Sequence, residues 1–347
     1  MTDTNLPATT VTRTSKTEAE ISGELGIELL APYRAELLRE FAATFEADGF
    51  RRGRVPENII VAKIGDMALL EKTAERAFRA LTPRFLKAAA LETVGRPEII
   101  ITKLAPGNPV VFKMRVFLAP EVTLPDYKAI AKEVFLPKED IQVDDEELER
   151  VITDIRKSRA RKAAEGEAGG EKELPLPALD DEFVRTLGDF ADVADFKKKL
   201  RENILQEKAY RAGEKRRIAV MEKIIAAAEI TLPEILIDAE LERLVGGLKQ
   251  DLERMGIRPD EYFKKAGKTE EAIRKEWRPE AERRAKIQIA LNEISKKENL
   301  VPAPEDIEAE VSHILEHHKD ADLESLRAYV QTVLANEQIF KFLENQK

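Results

Sequence analysis

Two different hydrophobic patterns divide the chain. Residues 18–133 combine strand-like alternation with helical spacing, whereas residues 180–347 show only the three- and four-residue spacing of amphipathic helices. An order of strand, helices and then two strands is typical of helices packed on one face of a small sheet. The pattern therefore predicts an α+β N-terminal domain followed by a mainly α-helical, elongated C-terminal domain.

The N-terminal block should begin with a strand, because apolar and polar residues alternate from Ile21 to Leu29. An amphipathic helix is expected to open at Ala31-Pro32, with Pro in its first turn. A short helix over Glu57 to Ile64 and a longer one follow. Two strands are predicted to close the block, over Glu98–Leu104 and Val110–Leu118.

The C-terminal block, 180–347, consists of apolar stripes on strongly charged helices. One stripe runs through Ile218, the next helix restarts with Thr231 as its N-cap, and its stripe ends at Met255. Because such a scaffold can leave apolar grooves exposed between charged rims, a weak binding surface for unfolded chains is expected. The pattern predicts a surface and no individual contact residues.

Composition limits the chemistry of the chain. Charged residues make up 35%, aromatic residues only 6%, and the formal net charge is −9. An acidic chain does not coat nucleic acid generally, so contact with nucleic acid must come from a local basic patch. The absence of cysteine excludes disulfides, thiolate metal sites and cysteine nucleophiles.

Residues 1–17 are rich in threonine and lack the apolar core of a secretory signal, which predicts a disordered tail. No apolar run approaches the ~18 residues of a membrane span. These features favour a cytoplasmic protein with no membrane partner.

One stretch between predicted helices combines arginines, an aromatic ring, two glycines and a proline. It consists of Gly49, Phe50, Arg51, Arg52, Gly53, Arg54, Val55 and Pro56. Glycine permits tight-turn backbone, and the residue before proline is kept extended, which indicates an exposed loop. Arginine forks suit a phosphate-rich partner. The alternative is a solvated turn that only joins two helices.

This loop resembles the signature loop of bacterial trigger factor, G-F-R-x-G-x-V-P. The fixed positions are met by Gly49, Phe50, Arg51, Gly53, Val55 and Pro56. The resemblance implies a ribosome-binding N-terminal domain over 18–133, in which Phe50, Arg51 and Arg52 touch ribosomal RNA and protein at the exit tunnel. It also implies nascent polypeptides as clients and a homodimer away from the ribosome.

Residues 134–179 are interpreted as a linker. Its carboxylates at 144–147 resemble a catalytic cluster but are better explained as the capped start of a helix. The basic run 156–162 is either a solvated helix face or a binding patch. Residues 165–173 have no apolar period and should be flexible.

In the family, a peptidyl-prolyl isomerase domain of the FK506-binding type is normally inserted at this linker. Between Val151 and Leu179 there is no aromatic residue and too little chain for such a barrel. The resemblance is therefore to a trigger factor that lacks its isomerase domain. No catalytic residue and no enzymatic activity are predicted.

The histidines could suggest a metal site, because His313 and His317 lie one helical turn apart. No third ligand is evident in the sequence, so an exposed histidine pair is favoured and no metal or cofactor is predicted. The chain also lacks the phosphate-binding motif G-x-x-x-x-G-K-[ST], which implies no nucleotide cycle.

These observations favour an ATP-independent chaperone that docks at the ribosomal exit tunnel and shields nascent chains, aiding folding and export. Two alternatives remain. One is the peptidyl-prolyl isomerase activity commonly assigned to the family, and the other is a helical holdase that never meets ribosomes.

Overall fold

A computed structural model describes residues 6–44, 55–136, 140–164, 176–319 and 321–346. The described residues group into two compact units. Unit 1 comprises Met1–Thr123 and Ala228–Glu293, and unit 2 comprises Leu124–Ala227 and Ile294–Lys347. The segment predicted to be flexible, 165–173, lies outside the described residues.

The described residues form six strands and twelve helices. The strands are β1 (Thr9–Arg13), β2 (Glu18–Leu25), β3 (Thr93–Lys103), β4 (Val110–Leu118), β5 (Val122–Thr123) and β6 (Glu229–Ile230). The helices are α1 (Ile27–Thr44), α2 (Glu57–Ile64), α3 (Asp66–Ala88), α4 (Tyr127–Phe135), α5 (Asp145–Ala164), α6 (Asp181–Leu187), α7 (Val193–Ala227), α8 (Glu234–Arg254), α9 (Pro259–Lys265), α10 (Glu270–Glu298), α11 (Pro304–His317) and α12 (Leu323–Glu344).

An antiparallel sheet with the strand order β1-β2-β4-β3 lies at the centre of unit 1. Its buried face carries Ile21 opposite Met114, and both side chains are fully buried. Helix α3 packs on this face, where the ring centroids of Phe78 and Phe85 lie 4.9 and 5.3 Å from that of Phe112. The predicted arrangement of helices on one face of a small sheet is confirmed.

The other face of the sheet is polar and carries cross-strand ion pairs. Lys113 Nζ lies 2.9 Å from Glu20 Oε1, and Arg115 Nη2 lies 2.7 Å from Glu18 Oε1. Alternation along the strands therefore separates an apolar face from a charged one, as expected for a sheet covered on one side only.

The prediction that residues 1–17 form a disordered tail is wrong for Thr9–Arg13, because these residues form β1 and pair with β2. The run TTVTR has no buried face to create a hydrophobic pattern. β-branched residues favour strands, but the backbone pairing with β2 is what gives this segment its structure.

The first predicted strand is too long. Strand β2 ends at Leu25, and α1 begins at Ile27. The helix starts early because the carbonyl of Gly26 accepts hydrogen bonds from the amides of Leu29 and Leu30 at 3.1 and 3.2 Å. The alternation that predicted a strand up to Leu29 is therefore interrupted by the first turn of a helix.

Residues 228–293 belong to unit 1, and two contacts with the N-terminal segment illustrate this. Val122 of β5 pairs with Ile230 of β6. Gly95 of β3 is so close to α8 that a Cβ atom added there would lie 2.5 Å from Ile235 Cδ1. The boundaries of the two units therefore differ from those of the predicted segments 18–133, 134–179 and 180–347. The division into these three segments remains a prediction.

In unit 2, α5, α6 and α7 share a core that contains Ile152, Val184 and Phe196. The carboxylates before and within the first turn of α5 act structurally, because Asp144 Oδ1 accepts the amide of Glu147 at 2.7 Å. The helix-capping interpretation is thus confirmed. Three ion pairs then join α5 to α7, namely Asp145–Arg201, Glu147–Lys208 and Glu149–Lys197.

Arg217 of α7 joins this helix to α12. Its Nη1 lies 3.0 Å from Glu337 Oε2, its Nε lies 2.7 Å from Glu344 Oε1, and its guanidinium carbon lies 5.1 Å from the Phe340 ring centroid. Glu214 pairs with the same guanidinium at 3.3 Å. The hydrogen bond to Glu344, and then the one to Glu337, raise the pKa of Arg217.

One detail of the helical region differs from prediction. Thr231 does not cap α8, because Pro233 occupies the N-cap position in extended backbone (φ −68°, ψ 140°) and no side chain caps the helix. The predicted apolar stripes through Ile218 and Met255 are not buried along their whole length, because these two side chains are 58% and 68% exposed. Sequence spacing places such residues on a helix face, but only packing decides whether that face is covered.

Candidate functional site

The predicted docking loop connects α1 to α2. The structure describes α1 up to Thr44 and the chain again from Val55. Six of the predicted site residues lie outside the described residues, namely Gly49, Phe50, Arg51, Arg52, Gly53 and Arg54. Only Val55 and Pro56 can be placed.

Val55 anchors the loop's C-terminal end in the protein. Its side chain is only 5% exposed and lies in a hydrophobic cluster with Leu37 and Leu38 of α1, Ile60 of α2 and Leu69 of α3. Burial of an aliphatic side chain of this size stabilises the folded state by about 1.5–3 kcal/mol. Val55 therefore fixes where the loop rejoins the fold.

Pro56 sets the start of α2. It is the N-cap residue, with extended backbone at φ −61° and ψ 147°. Its carbonyl accepts the amides of Ile59 and Ile60 at 3.1 and 3.3 Å. Since the proline ring restricts φ to about −65°, this residue is already close to the conformation that the loop exit requires.

Ion pairs hold the helices that flank the loop. Arg34 Nη1 of α1 lies 2.9 Å from Glu57 Oε1 of α2. Arg76 of α3 donates from Nη2 to both carboxylate oxygens of Glu40 on α1, at 2.8 and 2.7 Å. The hydrogen bond from Arg76 holds the pKa of the Glu40 carboxyl below its ordinary value. The loop is thus carried by three helices that are joined to one another.

A shallow groove lies beside the loop exit. It is lined by Arg34, Glu57, Asn58, Val61, Ala62, Gly65 and Asp66. Its polar groups include the Arg34–Glu57 ion pair, which already satisfies both charges. Asp66 is the other charged residue of this lining, so the groove adds no free cation to the site.

Exposed apolar side chains occur in both units on the helices predicted to carry the client surface. In unit 1 they lie around the turn from α8 to α9, at Met255, Ile257 and Tyr262. In unit 2 they lie on α7 and α12, at Leu205, Tyr210, Ile218, Leu323, Tyr329 and Val333. The spacing of apolar residues in the sequence did not show which of them are exposed, because exposed and buried apolar residues recur at the same three- and four-residue intervals along a helix.

His313 and His317 lie on α11 with ring centroids 5.8 Å apart, and His313 Nδ1 is 4.0 Å from Glu316 Oε2. In the described ranges of the chain, no group of three or more His, Asp or Glu side chains is arranged to hold a metal ion.

Comparison with known proteins decides the family. Residues 8–155 match the family model described as bacterial trigger factor protein, and residues 192–347 match the model of its C-terminus. The chain belongs to the bacterial trigger factor family. This is a family of ribosome-associated chaperones. No isomerase-domain model matches, and residues 156–191 lie between the two matched regions.

Curated relatives cover most of the chain at modest identity. The trigger factor of Halalkalibacterium halodurans is 26% identical and is aligned over 78% of this chain and 81% of its own length. That of Bacillus subtilis is 23% identical over 86% of this chain and 89% of its own. That of Moorella thermoacetica is 26% identical over 77% of each.

A solved structure of the trigger factor chaperone has the same fold. It matches 97% of this chain and 100% of its own, with a TM-score of 0.52 and 18% sequence identity. In the parts of this chain that the structure describes, every helix lacks the length or the apolar character that a membrane crossing requires.

Proposed function

We propose that the chain docks at the ribosomal exit tunnel through the loop Gly49–Pro56 and shields emerging polypeptides without using ATP. The observation that supports this most directly is the anchoring of the loop, because Val55 is buried among α1, α2 and α3. A loop fixed at its base in this way can present Phe50 and the three arginines as one group.

The chemistry of the loop suits ribosomal RNA and the proteins around it. Arginine matches phosphate in a bidentate geometry, and its guanidinium plane stacks on bases. Phe50 offers an aromatic ring for stacking or for an apolar pocket of a ribosomal protein. Docking on ribosomes places the protein in the cytoplasm.

Client binding is assigned to the exposed apolar side chains on charged helices. Apolar surface bordered by charge is typical of interaction sites, and methionine and tyrosine adapt to varied partners. Met255 and Tyr210 are the most exposed of these, at 68% and 70%. Such a surface would hold unfolded chains weakly and release them without a nucleotide cycle.

The combined substitution Phe50→Ala, Arg51→Ala and Arg52→Ala is expected to abolish co-sedimentation with ribosomes at physiological salt. The circular dichroism spectrum should stay unchanged, because the anchoring residue Val55 is kept. The measurement is the fraction of protein in the ribosome pellet across a range of ribosome concentrations.

A matched control removes one exposed apolar residue and two cations elsewhere in unit 1, with Ile27→Ala, Arg39→Ala and Lys72→Ala. All three side chains are exposed on α1 and α3. The control should sediment like the wild type. Sedimentation of the loop variant at the wild-type level would contradict docking through the loop. A wild-type chain that stays out of the ribosome pellet would favour a holdase that acts without ribosomes.

We also propose that the chain has no peptidyl-prolyl isomerase activity. The absence of a matching isomerase-domain model supports this, as does the short stretch between the two matched regions, 156–191. An isomerisation assay on a proline-containing peptide should give the uncatalysed rate. A clear excess over that rate, retained after further purification, would contradict the proposal.

Self-association away from ribosomes belongs to the same proposal and rests on the family resemblance alone. Sedimentation velocity of the purified chain over a range of concentrations would detect a homodimer as a second, faster species.

A further inference from the structure

The central sheet of unit 1 has an open edge at β1. In the strand order β1-β2-β4-β3, β1 pairs with β2 on one side and with no other described strand. The side chains from Thr10 to Arg13 are exposed, and Val11 is 40% exposed. A free strand edge presents unpaired N–H and C=O groups that can template another strand.

The turn before β2 fixes which backbone groups point outward. The amide of Thr14 donates to the carbonyl of Glu18 at 3.0 Å, which makes these residues a hydrogen-bonded pair. Bonded and non-bonded pairs alternate along an antiparallel ladder. The N–H and C=O groups of alternate β1 residues therefore point away from β2, and we name these residues the β1 edge: Thr9, Val11 and Arg13.

The pairing of β2 with β4 leads to the same assignment of the outward-pointing β1 residues. The carbonyl of Thr17 accepts the amide of Leu118 at 2.9 Å, so the odd-numbered residues of β2 direct their backbone groups towards β4. The even-numbered residues then face β1, in agreement with the bonded pair Thr14–Glu18.

The opposite edge of the sheet is protected. In β3, Pro97 has no N–H, and the register against β4 shifts between Val94 and Glu98. Ile235 of α8 packs closely on this strand at Gly95. Proline, irregular pairing and a covering helix are the devices by which proteins block strand edges. The sequence of β1 contains no proline, and its pairing with β2 is regular.

We propose that the β1 edge binds an extended stretch of a client polypeptide, which adds to the sheet as a further strand. An extended chain presents N–H and C=O groups at the spacing that Thr9, Val11 and Arg13 offer. Recognition through backbone groups does not depend on client sequence. The inference rests on the proposed function, because an unfolded client supplies such stretches.

The size of the β1 edge favours a client over a second copy of this chain. A five-residue strand gives a contact ~17 Å long and one strand spacing, ~5 Å, wide. This is far below the roughly 1,000 Å² that a specific, stable interface between proteins needs. The threonine and arginine side chains add no large apolar surface, so binding is weak and reversible.

The test removes one outward N–H and leaves the pairing with β2 intact. Val11→Pro does so, because proline is tolerated on an edge strand whose N–H faces solvent, and because the preceding Thr10 is already extended. The control, Val11→Ala, also loses the isopropyl group but keeps the N–H.

The probe is a soluble synthetic peptide of alternating Thr and Val with lysines at both ends, labelled for fluorescence anisotropy. We expect Val11→Pro to bind it about fivefold more weakly than Val11→Ala does, which corresponds to one net hydrogen bond. Equal affinity of the two variants would overturn the inference.

Hydrogen exchange of the wild-type chain provides a second measurement that does not depend on the folding of a variant. The amides of Thr9, Val11 and Arg13 should exchange quickly in the free protein and slow down when the peptide is added. No change would overturn the inference. Protection that grows with protein concentration in the absence of peptide would also overturn it, by showing that a second copy occupies the edge.

The two proposals fail in different ways. If the wild-type chain neither binds the peptide nor suppresses aggregation of a denatured protein, the proposed client binding fails. If it suppresses aggregation but the two Val11 variants bind the peptide equally, only the assignment of the β1 edge fails. Ribosome docking is tested separately, because none of these measurements uses ribosomes.

Discussion

At the scale of single residues, Gly95 has the closest neighbour to an added Cβ atom among the described glycines. Its φ of +70° lies in the left-handed region of backbone conformations that residues other than glycine rarely adopt. The same residue is approached by α8, so an added Cβ atom would lie 2.5 Å from Ile235 Cδ1. Backbone conformation and close packing thus require glycine at the same point.

Gly95→Ala should lower the free energy of unfolding by about 2–4 kcal/mol, as the sum of left-handed strain and overpacking. Gly107→Ala is the matched control, because Gly107 has φ +74° and no atom within 4 Å of an added Cβ. It should lose only about 1–2 kcal/mol. Urea unfolding followed by circular dichroism measures both.

The close contact itself can be relieved, since Ile235→Val deletes Cδ1. In the Gly95→Ala background this change should recover part of the lost stability, whereas in the wild type it should cost about 0.5–1.5 kcal/mol. Equal losses for the two glycine variants, with no recovery by Ile235→Val, would contradict a packing role for Gly95.

The docking loop was predictable as a motif but not as a structure. Its glycines, arginines and proline identify it in the sequence, because these residue types carry their chemistry and backbone preferences with them. The role of Val55 was not predictable, because its burial depends on Leu37, Leu38, Ile60 and Leu69 from three helices. Whether Phe50 and the arginines touch the ribosome stays a prediction.

At the scale of elements, prediction succeeded where local signals mark both ends. Helix α2, Glu57–Ile64, was predicted at both ends, because Pro56 precedes it and Gly65, at φ +89°, terminates it. Strand β4, Val110–Leu118, was also predicted at both ends, since Phe112, Met114, Val116 and Leu118 share one face and the strand follows a turn at residues 105–108. Strand β1 was missed, because it is stabilised by pairing with β2 and not by a local apolar pattern.

A hydrogen-bonded group in unit 2 joins α4 to the end of α10. The hydroxyl of Tyr127 donates to Glu298 Oε1 at 2.5 Å, and Lys128 Nζ lies 2.8 Å from the same oxygen. Burial, aided by the Glu298 carboxylate, raises the pKa of Tyr127 to about 12. Lys128, and then Tyr127, hold the pKa of the Glu298 carboxyl below its ordinary value of 4.5.

This lowered pKa predicts how stability depends on pH. A carboxyl whose pKa is depressed in the folded state contributes stability above its unfolded pKa, and that contribution is lost as the pH falls through the folded pKa. Glu298→Gln should therefore cost about 1 kcal/mol at neutral pH. The cost should shrink as the pH falls below 4.5, where the wild-type carboxyl also becomes neutral.

Urea unfolding at a series of pH values from neutral to acidic checks this prediction. Glu310→Gln is the control, because Glu310 is an exposed residue of α11, and its replacement should cost little at any pH. A cost for Glu298→Gln that stays constant with pH would contradict the assigned role of the Glu298 charge.

At the scale of the whole molecule, the charge balance requires that the proposed ribosome docking use a local basic patch. The chain carries a net charge of −9, so its average surface repels RNA. Many cations on the described helices are already engaged by carboxylates, such as Arg201, Lys208 and Arg217 on α7. Pairing of this kind reduces the attraction of these helices to phosphate, and we assign the phosphate contacts of the proposed docking to the loop.

Docking through Arg51, Arg52 and Arg54 predicts a limited salt dependence. Three phosphate contacts should weaken ribosome binding about 20- to 40-fold between roughly 50 and 200 mM salt. Arg54→Gln should reduce the slope of log affinity against log salt by about 0.7–0.9, the share of one phosphate contact. Equilibrium binding to labelled ribosomes at four salt concentrations measures the slope.

Arg211→Gln is the control for this measurement, because Arg211 is an exposed residue of α7 that pairs with Glu207. The slope of log affinity against log salt for Arg211→Gln should equal that of the wild type. If Arg54→Gln left the slope unchanged as well, the loop would not supply the phosphate contacts.

The sequence by itself determined the fold class, the helix order and the family, because hydrophobic period, turn residues and the loop motif are local properties of the chain. Tertiary structure decided the rest. It made β1 a strand, grouped residues 228–293 with the N-terminal sheet and left Ile218 and Met255 exposed. These outcomes depend on contacts between residues far apart in sequence, and the pattern of one segment does not encode which other segment will cover it.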